Sequence, residues 1–333
     1  MAPPTPPPAT RASAADMKAI RAQLFKDRVS PNRIRYLGDS SSDILEGLVW
    51  VRYGNTDILV HTDEAEKYES MRALHANDPT ENPAPEAPTS AMFSAVCRIS
   101  NRLCFFNECG GWNGPSRYAK TLKDVKMTAL MDTPDVDTFT EDWDTVTRNH
   151  ETIIRSKRTE GVQIIKGAWD EGEGEPRRPR LRHKLFEEVD RNSEDPTDTG
   201  MPFEFTLQGW LPTPNSQICN NELQDLKVKK THNVNPLPAY MYDGNLIHPR
   251  NYQTELRDAL VLVYMTFTHW YFGPSKTNTD GASDTYNADI INMKVLAPPR
   301  PRPAGPKTPV KRYAMTDPMA SPSPPKRGRT SRS

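Results

Sequence analysis

Leu260-Val-Leu-Val-Tyr-Met-Thr-Phe-Thr-His-Trp-Tyr-Phe272 is the strongest run of strand-forming residues in the chain. Val261, Val263, Met265 and Phe267 fall on one face of an extended strand, and Leu262, Tyr264, Thr266, Thr268 and Trp270 on the other. A polar loop from Gly273 to Ser283 follows. Thr285 to Leu296 then returns as a partner strand. Its apolar residues Ala288, Ile290, Met293 and Val295 change phase between Ile290 and Met293, which predicts a bulge.

Working outward, Leu48-Val-Trp-Val-Arg-Tyr53 and Asp57-Ile-Leu-Val60 flank Gly54-Asn55, a hairpin signal because both turn residues accept positive φ. Met92 to Glu108, Leu122 to Leu130, Gly161 to Trp169 and Phe203 to Gly209 also read as strand material. Ala14 to Lys26 and Asp63 to Ala76 carry helical spacing. Trp143 to Lys157 fits both periods, with Trp143, Val146 and His150 suiting a helix and its threonines and Ile153-Ile154 a strand. Short strands dominate. The expected fold is mainly β, an OB-like barrel or small sandwich with a few peripheral helices.

The 333 residues include 32 prolines, unevenly spread. Five lie in the first eight residues, ten between Pro298 and Ser333, and four between Pro79 and Pro88. The expected organisation is a disordered leader over 1–13, a β-rich body over 14–297 and a disordered tail over 298–333. Within the body, 77–90 is a possible linker and about 92–297 the OB-like part. The stretch from Asp170 to Pro196 alternates acidic and basic blocks, which predicts a mobile loop.

Charge divides along the same lines. The chain is neutral overall, but nine Lys/Arg and one Asp lie from Pro298 onward. Residues 1–297 therefore hold 34 basic and 42 acidic side chains, a net charge of about −8. An acidic body repels phosphate at long range, so any nucleic-acid surface has to be a local basic patch. No 18-residue apolar run occurs, so no membrane partner is expected. Met1 to Pro8 lacks the charged-then-apolar pattern of a secretory signal. Cys97, Cys104, Cys109 and Cys219 fit a reducing compartment and lack zinc-ligand spacing. In the tail, Lys311-Arg312 and Lys326-Arg327-Gly-Arg329 form a bipartite nuclear-import pattern, so the expected location is the nucleus and one expected partner is an import receptor. Ser321 and Ser323, each before a proline, are candidate phosphorylation sites beside it.

Catalytic patterns are scarce. The chain has no G-x-S-x-G, H-E-x-x-H, Walker A or G-x-G-x-x-G sequence. Seven histidines are scattered without paired metal-ligand spacing, and a lone strand histidine such as His269 is expected to be packed. The acids from Asp132 to Asp144 read as a solvated loop entering a helix. No cofactor, metal or catalytic residue is expected. Binding patterns are richer. A single-strand binder needs cations to follow phosphates and aromatic faces for bases. The candidate cations are Arg177, Arg178, Arg180, Arg182 and Lys184, then Lys227, Lys229 and Lys230. The candidate platforms are Trp210, Tyr264 and Trp270, with Trp112 and Trp169 as further possibilities.

Residues 203–297 resemble the closing part of T7-type phage single-stranded-DNA-binding proteins. The resemblance rests on Pro236-Leu-Pro-Ala-Tyr-Met-Tyr-Asp-Gly-Asn-Leu-Ile247, the strand from Ala259 to Phe267 and Ala288-Asp-Ile-Ile-Asn-Met-Lys-Val-Leu296. It implies that a proline-led, Asp-Gly-Asn connection precedes the last two strands of an OB barrel. That family ends in an acidic tail, whereas this tail is basic, and its glycine-rich segment is reduced here to Gly273 and Gly281. Phage-like replication partners are therefore not implied. The whole chain also resembles nuclear-type proteins of mushroom-forming fungi, from which no function follows. The expected function is non-catalytic binding of single-stranded DNA or RNA in the nucleus. The alternatives are a nuclear protein–protein interaction scaffold and, third, a metal-dependent enzyme. Oligomeric state has no signal in the sequence.

Overall fold

A computed structural model describes residues 11–116, 119–170, 177–189, 200–214, 216–274 and 281–301. Ser13 starts α1 (Ala14–Asp27): its hydroxyl accepts from the Asp16 N–H, and the Asp16 carboxylate accepts from the Ser13 N–H at 2.8 Å. This reciprocal cap satisfies two amides that the helix itself cannot. There follow β1 (Arg35–Tyr36), β2 (Leu48–Tyr53), β3 (Thr56–His61), α2 (Thr62–Asn77), β4 (Phe93–Ile99) and β5 (Lys126–Asp132). Next come α3 (Asp137–Thr140), α4 (Trp143–Arg155), β6 (Ile164–Lys166), β7 (Trp169–Asp170), β8 (Arg178–Lys184) and β9 (Phe186–Glu188). The chain continues through α5 (Gln217–Lys229), β10 (His232–Val234), β11 (Ala239–Tyr240), α6 (Tyr252–Leu256), β12 (Leu260–Phe272) and β13 (Ser283–Ala297).

The fold is mainly β. Among the described residues, eleven strands belong to one mixed sheet, and β9 and β10 form a separate antiparallel pair. The long hairpin β12–β13 is its spine, with Tyr264 opposite Asn292 but Met265 opposite Ile290. The skipped Ile291 is the expected bulge and stands exposed. β12 also pairs antiparallel with β4, β4 with β5, and β5 with β8, while β8 returns to β13 in parallel. Followed in that order, the pairings close on themselves through five strands. The β2–β3 hairpin adds to the far end of β12, and of its turn residues only Gly54 takes positive φ, at 55°.

Period 2 supplies the core. Ala95, Cys97 and Ile99 of β4, Met127, Ala129 and Met131 of β5, Leu181 of β8, and Val261, Val263, Met265 and Phe267 of β12 enter one buried cluster. Phe93 meets Phe267 edge to face at 5.1 Å. α4 adds Val146, Ile153 and Ile154, and α5 adds Cys219, Leu223 and Leu226. On the opposite face of β12, Met17 and Leu24 of α1 pack with Leu260, Leu262 and Leu296, and Tyr264 borders them.

Several expectations need correction. Ala12 is buried and its N–H bonds the Leu296 carbonyl, so the expected leader gives way to the body before residue 13; residues 1–10 lie outside the described residues. The described residues up to Arg300 form one compact unit, and 77–90 is a connection within it. Phe203 to Gly209 is no strand: Phe203–Phe205 is a single 3-10 turn, and the chain folds back so tightly that a side chain on Gly209 would strike the Phe203 carbonyl. Gly161 to Trp169 is broken into β6 and β7 at Gly167, whose φ is +80° and whose backbone abuts the Tyr286 carbonyl. Trp143 to Arg155 is a helix. The central part of the expected mobile loop, Arg178 to Lys184, is a strand inside the main sheet. Residues 171–176, 190–199, the Gly273–Ser283 loop between 275 and 280, and the tail beyond Pro301 lie outside the described residues.

Candidate functional site

β8 alternates strictly. Pro179, Leu181 and His183 are buried, while Arg178, Arg180, Arg182 and Lys184 share the more exposed face. Across the β5 ladder, Lys126 stands opposite Lys184 and Thr128 opposite Arg182. Five cations thus line two adjacent strands. Partial burial and the nearby Arg182 and Lys184 hold the Lys126 ammonium below its usual range.

Carboxylates from other strands meet the guanidinium groups. Asp289 of β13 receives Arg182 in a two-pronged bond, Nε at 2.5 Å and Nη2 at 2.7 Å, and Thr268 donates to the same carboxylate at 3.2 Å. Arg178 lies 3.4 Å from Asp132, and Arg180 lies 3.3 Å from Asp170. Lys126 and Lys184 have no ion-pair partner among the described residues. Among the described residues, three carboxylates meet these five cations, although the body is acidic.

Trp270 of β12 lies on this face: it pairs with Thr285, two alternations along β13 from Asp289, and is half-buried. Tyr264 shares the face but borders the α1 layer. Trp210 is not there at all. It is 1% exposed, and its indole N–H donates to the Glu108 carbonyl at 2.9 Å, so it is a core residue with a satisfied polar edge. The Lys227 ammonium caps the carbonyls of Gln208 and Trp210 at 3.0 and 2.8 Å. Lys229 pairs with Asp225 on its own helix, and Lys230 ends that helix in the left-handed conformation. Trp112 is buried.

Arg177 departs from the strip. Its guanidinium lies over the Trp169 ring at 4.7 Å, and it contacts Glu151 of α4 at 2.8 Å. Hydrogen bonds from Arg155 first, then the charges of Arg155 and Arg177, hold the Glu151 carboxyl below its usual range. Here a cleft of about 680 Å³ opens between α4 and the starts of β7 and β8. Trp143, Thr147, His150 and Glu151 reach it because positions i, i+4, i+7 and i+8 share one helix face. Burial pulls the His150 imidazole down to about 4, so it is neutral near pH 7, and its Nε2 has no hydrogen-bond partner. The helical spacing from Trp143 to Glu151 was the available signal for this cleft.

A second cluster of ionisable groups is sealed inside the sheet. His269 Nδ1 faces Asp57 Oδ2 at 2.8 Å and its Nε2 faces Asp284 Oδ1 at 3.0 Å; the three residues are 1%, 5% and 0% exposed. A substrate has no approach to them, and they tie β3, β12 and β13 together. Among the described residues, no group of three or more His, Cys, Asp or Glu side chains is arranged to hold a metal ion. No described helix is long and apolar enough to cross a membrane. No family model, curated protein or solved structure matches this chain.

Proposed function

We infer that this chain is a non-catalytic, nuclear, single-stranded nucleic-acid-binding protein built on an OB-like barrel. The barrel reading is supported by the closed circuit β4–β5–β8–β13–β12, with one parallel pairing and with α5 in the connection between its third and fourth strands in chain order. In OB barrels the second and third strands form the nucleic-acid face. The second and third strands of this circuit are β5 and β8. One observation carries the functional reading: the cations Lys126, Arg178, Arg180, Arg182 and Lys184 stand on those two strands. Phosphates would take the free ammonium groups first and compete with carboxylates for the guanidinium groups, while Trp270 offers a ring farther along the same face.

The pairing of Arg178, Arg180 and Arg182 with carboxylates, together with the acidic body, favours the second reading, a protein–protein interaction scaffold. Salt dependence separates the two. Full-length protein and its Lys126→Gln/Lys184→Gln variant are titrated with labelled oligothymidine at several salt concentrations. The tail cations are present in both, so only the strip differs. The variant should lose up to about 1.4 in log–log slope, roughly 0.7 for each phosphate contact. An unchanged slope leaves the scaffold as the better account.

The nuclear part of the reading rests on Lys311, Arg312, Lys326, Arg327 and Arg329 in the tail. Changing Lys326, Arg327 and Arg329 to Ala should shift a fusion too large for passive pore passage from nucleus to cytoplasm. Unaltered nuclear accumulation on microscopy would remove the import address.

A further inference from the structure

We propose that the cleft between α4 and the starts of β7 and β8 binds one nucleotide, its base stacked on the tryptophans and its phosphate on Arg148. The proposal rests on the nucleic-acid reading above, to which it adds a seat for one base at the Arg178 end of the cation strip.

Three features set the chemistry of the ligand. The first is stacking surface. Trp143 and Trp169 both line the cleft and both are half-buried, anchored against the core yet open on one side. The Arg177 guanidinium already lies over Trp169, so that wall presents a planar, cationic layer on which a base stacks as it would on an indole. The lining sets Arg148, Arg177 and Arg178 against Asp132, Asp144 and Glu151, so its charges balance and selectivity lies in where each one stands.

The second is an anion site. Arg148 is exposed on α4, and its only hydrogen bond among the described residues is to Thr145 Oγ1, at 3.2 Å on its own helix. Arg177 and Arg178 have Glu151 and Asp132 beside them, whereas Arg148 has no carboxylate partner among the described residues. Asp144 projects from the same stretch of helix, and its acceptor oxygens suit the N–H edge of a base rather than a phosphate.

The third is an unmet need in the floor. His150 is 2% exposed and is held between Phe267 and Trp169, with ring centroids 5.5 and 6.4 Å away. Its Nε2 is shielded from water and bonded to nothing. Native interiors leave few such atoms unpaired. His150 and Trp169 both line the cleft, so this unpaired nitrogen lies directly beneath its stacking wall. Stacking surface, a guanidinium and an unpaired polar atom in the floor, around about 680 Å³, together describe a nucleotide site.

Full-length protein is titrated by calorimetry with thymidine, thymidine 5′-monophosphate and oligothymidine, and the titrations are repeated with Trp143→Ala and Arg148→Gln. The monophosphate should bind more tightly than thymidine. Trp143→Ala should weaken binding roughly 5- to 150-fold, the range of one stacked base. Arg148→Gln, at an exposed position that leaves folding intact, should weaken the monophosphate about tenfold and leave thymidine unchanged. Binding of the monophosphate without the oligonucleotide would make this a free-nucleotide site and would overturn the strand-binding reading. Salt-dependent oligonucleotide binding that neither substitution alters, with no monophosphate binding, would overturn the cleft and leave that reading standing. No binding of any probe would overturn both.

Discussion

Asp284→Ala should destabilise the body by about 3–5 kcal/mol, the range for removing one member of a buried charged group. Asp284 is wholly buried and does three things at once. It accepts from the Thr159 N–H at 2.9 Å and hydroxyl at 2.7 Å, and it faces His269 Nε2 at 3.0 Å. Alanine removes the partner of the part-buried Thr159 N–H and hydroxyl and of the buried His269 Nε2 together. Asp57, at the other nitrogen, has further support from Arg52 at 3.3 Å and Lys157 at 3.4 Å. Asp284→Asn keeps one acceptor oxygen and should cost about 1–2 kcal/mol. Guanidinium unfolding of the two variants measures the difference. A loss below about 1 kcal/mol for alanine would mean that the three residues are not the dry strut tying β3 to the long hairpin.

These three residues also mark the limit of what the sequence discloses. His269 is readable as a packed strand histidine, but Asp57 lies 212 positions earlier, and nothing local announces that the two meet. The β12–β13 hairpin is legible because one rule, alternation of apolar residues, governs all of it. The same rule fails at Phe203, Phe205 and Leu207, where an alternating pattern winds into a turn around Gly209. At β8 it is masked, because Pro179, Leu181 and His183 alternate beneath a conspicuous row of cations. Asp132, Asp289 and Asp170 make that row tolerable inside a sheet, and they come from β5, β13 and β7. Charge runs look solvated when their counterions are distant in sequence. The candidate site divides in the same way. Arg178 to Lys184 and Trp270 are recoverable from composition, whereas Lys126 is recognised only from the register of β5. Trp210 fails as a platform because the property that suggested it, a large aromatic beside basic residues, equally describes a core anchor. The cleft needs Trp143 of α4 and Trp169 of β7 together, and only the tertiary fold joins them.

Acid should destabilise the body through His150, by about 3 kcal/mol between pH 7.5 and pH 4. The cause is burial: the imidazole is 2% exposed, so its protonated form is penalised and its affinity for protons falls from an ordinary 6.5 to about 4. Glu151 acts in the opposite direction without offsetting this. The sign follows from which state takes the proton first. Between 6.5 and 4 the unfolded chain binds it and the folded chain does not, so this contribution is complete above about 6.5 and is lost as pH falls towards 4. His183, also lowered by burial, adds to the slope in the same direction. Carboxylates in ion pairs add their own losses at the acid end, so a variant is needed to isolate His150. His150→Phe keeps an aromatic ring against Phe267, removes the titrating group and eliminates the unpartnered Nε2. Denaturant unfolding at pH 7.5, 6.5, 5.5 and 4.5 should give the variant a flatter stability profile. It should equal wild type near neutrality and exceed it by roughly 2–3 kcal/mol at the acid end, as expected when a buried base is no longer forced to charge. Parallel profiles for the two proteins would show that His150 is protonated freely in the folded state, and the sealed floor of the cleft would have to be abandoned.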